Sequence, residues 1–206
     1  MIKRNKLLLK TKLPVILASK SKIRKKILNE AGLEFTQKDS KLDEAGLKNK
    51  YFSKNISDIA KKLADAKASK VSNIYKEAYV IGSDQICAVG NKILSKPENK
   101  LKAIKQLKFL SGKTHKQISA ICICYKGKVI WSYFEIATLK MRKLPIKLIT
   151  KYVDIDNPIY SCGSYKFESQ GKYLFSKIDG NISTILGLPL FPLLNILFKK
   201  KVIVYV

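Results

Sequence analysis

Histidine, arginine and acidic residues are scarce in this chain, and each shortage removes a class of function. His115 is the single histidine, and the four cysteines (Cys87, Cys122, Cys124, Cys162) show no C-x-x-C spacing, so neither a Cys/His zinc cluster nor a Ser-His-Asp arrangement emerges. Arginine occurs three times, at Arg4, Arg24 and Arg142. Base-edge and bidentate phosphate recognition favour the guanidinium fork, so a dedicated nucleic-acid groove is disfavoured. Glycine (10) and proline (6) are too few for a collagen-like or wholly disordered chain. No uninterrupted apolar run reaches the roughly 18 residues of a membrane span, since Pro189 and Pro192 break the stretch from Ile185 to Phe198. No G-x-x-x-x-G-K-[ST] loop, internal repeat or low-complexity tract is present.

What is abundant is lysine. Lys and Arg total 41 against 15 Asp and Glu, a formal charge of +26, which suits polyanionic partners. The lysines are scattered over nearly every segment, as on solvated faces, and do not gather in one patch. With 46% hydrophobic residues, 206 residues have room for one α/β domain or two lobes. The basic N-terminus is cut by Lys10 and Lys12 and lacks a convincing cleavage site, so a cytoplasmic protein with buried, reduced thiols is expected.

Along the chain, Val15 to Ala18 reads as a short buried strand running into Ser19-Lys20-Ser21 and a helix that Gly32 stops. Such a serine turn offers backbone N–H groups to an anion, with Arg24 one turn inside, although a serine N-cap explains Ser21 equally well. A polar loop holds Asp43 and Glu44. From about Ser57 to Ile74 a helical period places Ala60, Leu63, Ala64, Val71 and Ile74 on one face with Lys67 in its middle. That ammonium either snorkels at the edge of the stripe or points into an anion-binding cleft. Tyr79 to Val89 reads as a strand with Asp84 among apolar residues, which demands a partner, and with Gly82 beside it for close approach of a backbone or ligand. A turn at Gly90-Asn91 leads to Lys92–Leu94. The following helix ends near Leu110, with Leu101, Ile104, Leu107 and Leu110 as its core face. A hairpin around Lys126-Gly127 joins runs 117–125 and 128–138. A helix over 144–152, the loop Gly163 to Glu168, a strand around 173–178 and a helix near 190–198 complete the chain.

A serine and arginine at a helix terminus, an acidic loop, a stripe lysine, a strand aspartate and Lys96 together suit phosphoanhydride hydrolysis. Cations grip phosphates, while carboxylates hold a divalent metal or activate water. In their order and spacing these segments resemble the Maf family of nucleoside triphosphate pyrophosphatases. The matching elements are Val15-Ile16-Leu17-Ala18-Ser19-Lys20-Ser21-Lys22-Ile23-Arg24, Leu42-Asp43-Glu44, Lys67, Ile81 to Asp84, Ser95-Lys96-Pro97, Ser111 to His115 and Gly187-Leu188-Pro189. Departures from the family pattern are Lys22, Ile23, Ser95 and the loop after Glu168, Ser169-Gln170-Gly171.

The resemblance implies a Maf/ITPase-like α/β fold: an elongated mixed β-sheet flanked by helices, with two lobes and a cleft between them. One domain would span 13–198, with lobes roughly 13–115 and 116–198, between a basic leader (1–12) and a tail (199–206). It further implies Asp84 as catalytic base, triphosphate binding by Ser19, Arg24, Lys67 and Lys96, and base selection by Ile23, Gln85 and Glu168. Asp43, Glu44 and Asp84 would hold Mg²⁺ or Mn²⁺, with Glu44 as the alternative to Asp43. The Asp84-Gln85 pair and the Gly163-Ser164-Tyr165-Lys166-x-Glu168 loop resemble the 7-methyl-GTP branch, as against the dTTP/UTP branch. Tyr165 and Phe167 are candidates for stacking on the base, with core packing the competing role. The partner implied is a nucleoside triphosphate; no membrane is implied, and a homodimer is left open. A non-catalytic nucleic-acid-binding module is the rival reading, and it leaves Asp84 and Lys67 in apolar patterns unexplained.

Overall fold

The computed structural model describes residues 8–44, 46–47 and 55–206. The chain forms two compact units, passing between them at 84/85, 119/120, 134/135 and 186/187. Unit 1 holds 1–84, 120–134 and 187–206, and unit 2 holds 85–119 and 135–186. The expected mixed α/β class is what forms, with strands hydrogen-bonded in the order β3-β2-β4-β6-β7-β8 and β5 on β4. In chain order these strands are β2 (Val15–Ala18), β3 (Thr36–Lys38), β4 (Tyr79–Val89), β5 (Lys92–Leu94), β6 (Thr114–Tyr125), β7 (Lys128–Met141) and β8 (Phe175–Asp179).

Unit 1 is built on parallel β-α-β connections. Strand β2 pairs with β3 on one side and β4 on the other, both parallel. Helix α1 (Lys22–Glu30) joins β2 to β3, and α2 (Ile56–Ser72) lies between β3 and β4 in the chain. All four residues of β2 are buried, as a strand covered on both faces requires. Chain direction therefore reverses its lateral course between β2 and β4, the place where open α/β sheets put ligands beyond the strand carboxyl ends. Helix α1 ends as expected, with Gly32 at φ 78°. Asn55 caps α2 by accepting the Ser57 N–H, while Asp58 in its first turn and Lys70 in its last complement the helix dipole.

The buried face of α2 holds Ala60, Leu63, Ala64, Lys67 and Val71, but Ile74 lies beyond the helix end and is 73% exposed. Gly82 is where α2 meets β4: a Cβ there would stand 2.2 Å from the Ala64 carbonyl oxygen and 2.8 Å from the Ala68 Cβ. The close approach read from the sequence is thus that of a helix backbone. The ends of the chain are structured too. Leu9–Thr11 (β1), from the expected leader, pairs antiparallel with Ile203–Tyr205 (β9), from the expected tail. The leader's first seven residues lie outside the described ones. Helix α6 (Leu190–Lys199) precedes β9.

Unit 2 gathers Leu94, Ala103, Leu107, Leu110, Leu139, Ile149, Val153, Tyr165 and Phe175 into one core around α3 (Lys100–Leu110) and α4 (Ile146–Asp156). The expected core face of α3 is corrected at one position. Leu101 is 73% exposed and Ala103 is buried in its stead, because the face that meets the core follows Ala103, Leu107 and Leu110. Helix α4 runs to Asp156, four residues past its expected end, and stops where Asn157 adopts a left-handed φ of 44°. Helix α5 (Ile182–Ile185) is a single turn. Among the described residues no helix is long and apolar enough to cross a membrane.

Candidate active site

In unit 1 the ladder pairs Leu17 with Ile81, and two residues further along each strand stand Ser19 and Ser83. Ser21 is indeed the N-cap of α1, accepting the Arg24 N–H at 3.3 Å. The Ser19 hydroxyl oxygen accepts the Ser21 N–H at 3.2 Å and an Arg24 Nη1 hydrogen at 3.3 Å. The Arg24 guanidinium also donates from Nη1 to the Ser83 carbonyl (2.9 Å) and from Nε to the Gly187 carbonyl (2.8 Å). Arg24 thus ties α1, the middle of β4 and the Gly187 turn into one frame. The Ser83 hydroxyl lies 2.8 Å from the Ala120 and Gly187 carbonyl oxygens and reinforces the same junction. From β3, Gln37 Nε2 donates to the Ser19 carbonyl at 2.7 Å and braces the serine turn. Gln37 has no counterpart in the sequence reading, since a lone polar residue on a three-residue strand leaves no periodic signal. Ile23 is half-buried on α1.

Lys67 is the centre of the cluster. Its ammonium is neither snorkelled nor free: Nζ donates to Asp84 Oδ1 at 2.6 Å and lies 2.8 Å from Glu44 Oε1. The lysine and aspartate side chains are 7% and 5% exposed, and that of Glu44 is 37% exposed. One ammonium between two carboxylates leaves a formal charge of minus one. The second carboxylate oxygen of Asp84, Oδ2, is buried and has no hydrogen-bond partner among the described residues. An orphaned anionic oxygen in a desolvated place is costly unless a cation or donor arrives.

Of the two neighbouring acids, Glu44 is the one that faces Lys67. Asp43 is exposed and caps its own turn, with Oδ1 accepting the Gly46 N–H at 3.1 Å. Lys70, one turn along α2 from Lys67, fixes this loop by donating to the Lys41 carbonyl at 2.6 Å.

In unit 2 the remaining sequence-derived residues are dispersed. Lys96 is exposed on the loop after β5. Gln85 spends its amide hydrogens on the Thr184 and Ile185 carbonyls, at 3.2 and 2.7 Å. Glu168 is exposed on a turn held at both ends. Upstream of it, Lys166 N–H donates to Tyr152 Oη at 2.9 Å; downstream, Asp156 accepts from the Ser169 hydroxyl (2.7 Å) and the Gln170 N–H (3.2 Å). Tyr165 belongs to the core and not to a stacking surface. It is 4% exposed, and its hydroxyl accepts from Gln117 Nε2 (2.7 Å) and meets His115 Nε2 (2.9 Å). Burial pushes that phenol well above its usual range, and desolvation lowers His115 from 6.5 to about 4. Phe167 is half-buried.

A family model described as Maf-like protein matches residues 14–200. The chain belongs to the Maf-like family. Among Maf-like relatives, a nucleoside triphosphate pyrophosphatase of Legionella pneumophila (strain Corby) is 42% identical over 190 residues, covering 92% of this chain and 95% of that protein. A 7-methyl-GTP pyrophosphatase of Brucella abortus biovar 1 is 39% identical over 193 residues, covering 92% and 97%. Among solved structures, a HAM1 protein from Coxiella burnetii is similar at a TM-score of 0.41 and 12% identity, over 65% of this chain and 75% of that one, a likeness too slight to argue from. The Maf-like match spans the whole Ser19, Arg24, Glu44, Lys67 and Asp84 cluster of unit 1.

Proposed function

We propose that this chain, a nucleoside triphosphate pyrophosphatase of the Maf-like family and so a hydrolase of acid anhydrides, acts on 7-methyl-GTP, releasing 7-methyl-GMP and pyrophosphate. The observation that carries the chemistry is the Asp84–Lys67–Glu44 cluster, buried at Asp84 and Lys67, with its Asp84 Oδ2 unpartnered among the described residues. Two carboxylates with a free oxygen form the donor set that Mg²⁺ or Mn²⁺ accepts when substrate phosphates complete its shell, so Asp84 and Glu44 fit a divalent ion. Asp43, turned into its own cap, is the weaker candidate ligand. When bound, the ion supplies charge neutralisation and polarisation at the phosphates.

The chain's own residues do the rest. The Asp84 carboxylate, held on one side by Lys67, takes the proton of the attacking water, in the manner of a positioned general base. Lys67 neutralises charge as the α–β phosphoanhydride opens. Arg24 keeps the serine turn and the Ser83 segment in register, and Ser19 lies at that turn beside the α1 N-terminus, where an anion is favoured. Lys96, exposed on the loop after β5, is the further cation assigned to the triphosphate.

For the base, support comes from the Asp84-Gln85 pair, from the loop ending in Glu168 and from the names of the Brucella relatives. Methylation at N7 makes guanine cationic, and its N1–H and amino groups are donors. A carboxylate at Glu168 and the Gln85 Oε1 acceptor match both properties. Ile23 is the apolar contribution to base selection. A pyrophosphate-release screen with Mg²⁺ over canonical and methylated triphosphates tests the reading. Highest kcat/KM on 7-methyl-GTP supports it, preference for dTTP or UTP rejects the base assignment, and release from none rejects the activity.

A further inference from the structure

The Asp84–Lys67–Glu44 geometry points to a second role for Lys67, and we propose that its ammonium stands in for the divalent cation until a nucleotide arrives. The inference rests on the pyrophosphatase reading and goes past it, to how the site is kept shut against free metal. Nζ bridges the two carboxylates at 2.6 and 2.8 Å, which are the same two groups whose oxygens fit the metal. A cation placed beside them while Lys67 stays put would face an ammonium in a nearly water-free place, where like charges repel strongly. Among the described residues the lysine is held by Asp84 and Glu44, with no third acceptor to retreat to. A triphosphate supplies one. Phosphate oxygens draw the ammonium off the carboxylates, and the carboxylates become open to the ion that accompanies the nucleotide.

The position of Lys67 makes the exchange economical. Its Cα is fixed because α2 is seated on β4, with Gly82 against Ala64 and Ala68, so only the flexible four-carbon stem needs to swing. The loop bearing Glu44 is tethered to the same helix by Lys70, so the carboxylate stays within reach of Asp84 when the ammonium departs. Metal and nucleotide are then coupled: each raises the other's affinity by the same factor, and Lys67 carries the coupling.

The test measures Mn²⁺ binding by calorimetry and by thermal shift, without nucleotide, in the wild-type chain, Lys67→Met and Lys67→Arg. The expected result is weak Mn²⁺ binding by wild type and Lys67→Arg, binding at least about tenfold tighter by Lys67→Met, and a Mn²⁺-dependent rise in Tm confined to that variant. Adding a non-hydrolysable triphosphate should tighten Mn²⁺ binding in wild type and change it little in Lys67→Met. Equal or weaker Mn²⁺ binding by Lys67→Met overturns the proposal. If Lys67→Met is unfolded without metal, recovery of the fold with Mn²⁺ supports the proposal and no recovery overturns it. Turnover by the wild-type chain is read separately, so an active wild type whose Lys67→Met variant gains no Mn²⁺ affinity sinks this inference alone.

Discussion

Asp84→Asn separates the fold from the chemistry. Among the described residues the Asp84 side chain accepts one hydrogen bond, from Lys67 at 2.6 Å, and leaves Oδ2 without a partner. Asparagine can keep its carbonyl oxygen toward Lys67 and place its amide where Oδ2 stood. A charged hydrogen bond contributes about 1.5–3 kcal/mol, and the neutral one that replaces it somewhat less. Glu44 still neutralises the ammonium, and the formal charge of the cluster moves from minus one to zero, so no buried charge loses its only partner. Stability should therefore change by no more than about 1–2 kcal/mol, a shift of a few degrees in Tm for a chain of this length. The chemical step loses its proton acceptor. General-base catalysis contributes roughly 10²–10⁴-fold, so kcat should fall by that factor, or about 3–5 kcal/mol of barrier. Pyrophosphate release at saturating Mg²⁺, with a thermal melt of the same preparation, provides both readings. A folded variant with turnover within about threefold of wild type would refute the base assignment. Recovery of kcat on raising Mg²⁺ would show that Asp84 acts as a metal ligand and not as the proton acceptor.

The remaining expectations test other parts of the molecule. His115, buried and shifted from 6.5 to about 4, stays neutral in the folded protein while the unfolded chain takes up a proton below pH 6.5. Its share of stability is thus constant above that pH and falls by about 2 kcal/mol by pH 5; urea melts of wild type and His115→Gln should show a steeper loss in wild type over that window. Gly82→Ala places a Cβ 2.2 Å from the Ala64 carbonyl oxygen. It should cost about 1–3 kcal/mol or more and should lower activity by displacing Lys67, measured by denaturant melts and pyrophosphate release; unchanged stability would contradict the packing described. Glu168→Gln should reduce kcat/KM for 7-methyl-GTP by about one to two powers of ten and affect unmethylated nucleotides less. A uniform decline across substrates would assign Glu168 to support of its loop.

Local pattern revealed most of the elements and the polar residues that stand out within them, because periodicity and caps are written within a few residues of where they act. The strand with Asp84, the helix with Lys67 and the turn with Ser19 all stand where the sequence puts them. Partnerships are another matter. Lys67 could be recognised as anomalous on an apolar stripe, but whether Asp43 or Glu44 would meet it depends on the loop's register, and a one-residue slip sends the side chain elsewhere. The same limit hid the β1–β9 ribbon: its strands lie about 190 residues apart, and each is too short and lysine-flanked to read as a strand alone. Tyr165 stayed open between stacking and core packing for a related reason. An aromatic in a polar loop looks available for stacking, whereas His115 and Gln117 on β6 hold its hydroxyl inside the core.

The charge of the chain and the charge of its site have opposite signs, and distance explains why the first does not determine the second. The +26 surplus sits mainly on lysines in solvent, where salt screens each beyond about 8 Å. Lys67 is the one buried lysine among the described residues, and it is held at 2.6 and 2.8 Å by two acids out of a total of 15. At that separation and with little water, two carboxylates outweigh dozens of screened ammonium groups, so the cluster remains formally anionic within a cationic protein. Under the proposed function such a combination suits a small, highly charged anion that arrives with its own divalent ion: the surface lysines would favour the approach of the triphosphate, and Asp84 and Glu44 would receive the metal. A protein that only bound polyanions would gain nothing by burying Asp84 with an oxygen unpaired. A cation or a proton that comes and goes, as the proposed function requires, would offset the cost of that oxygen.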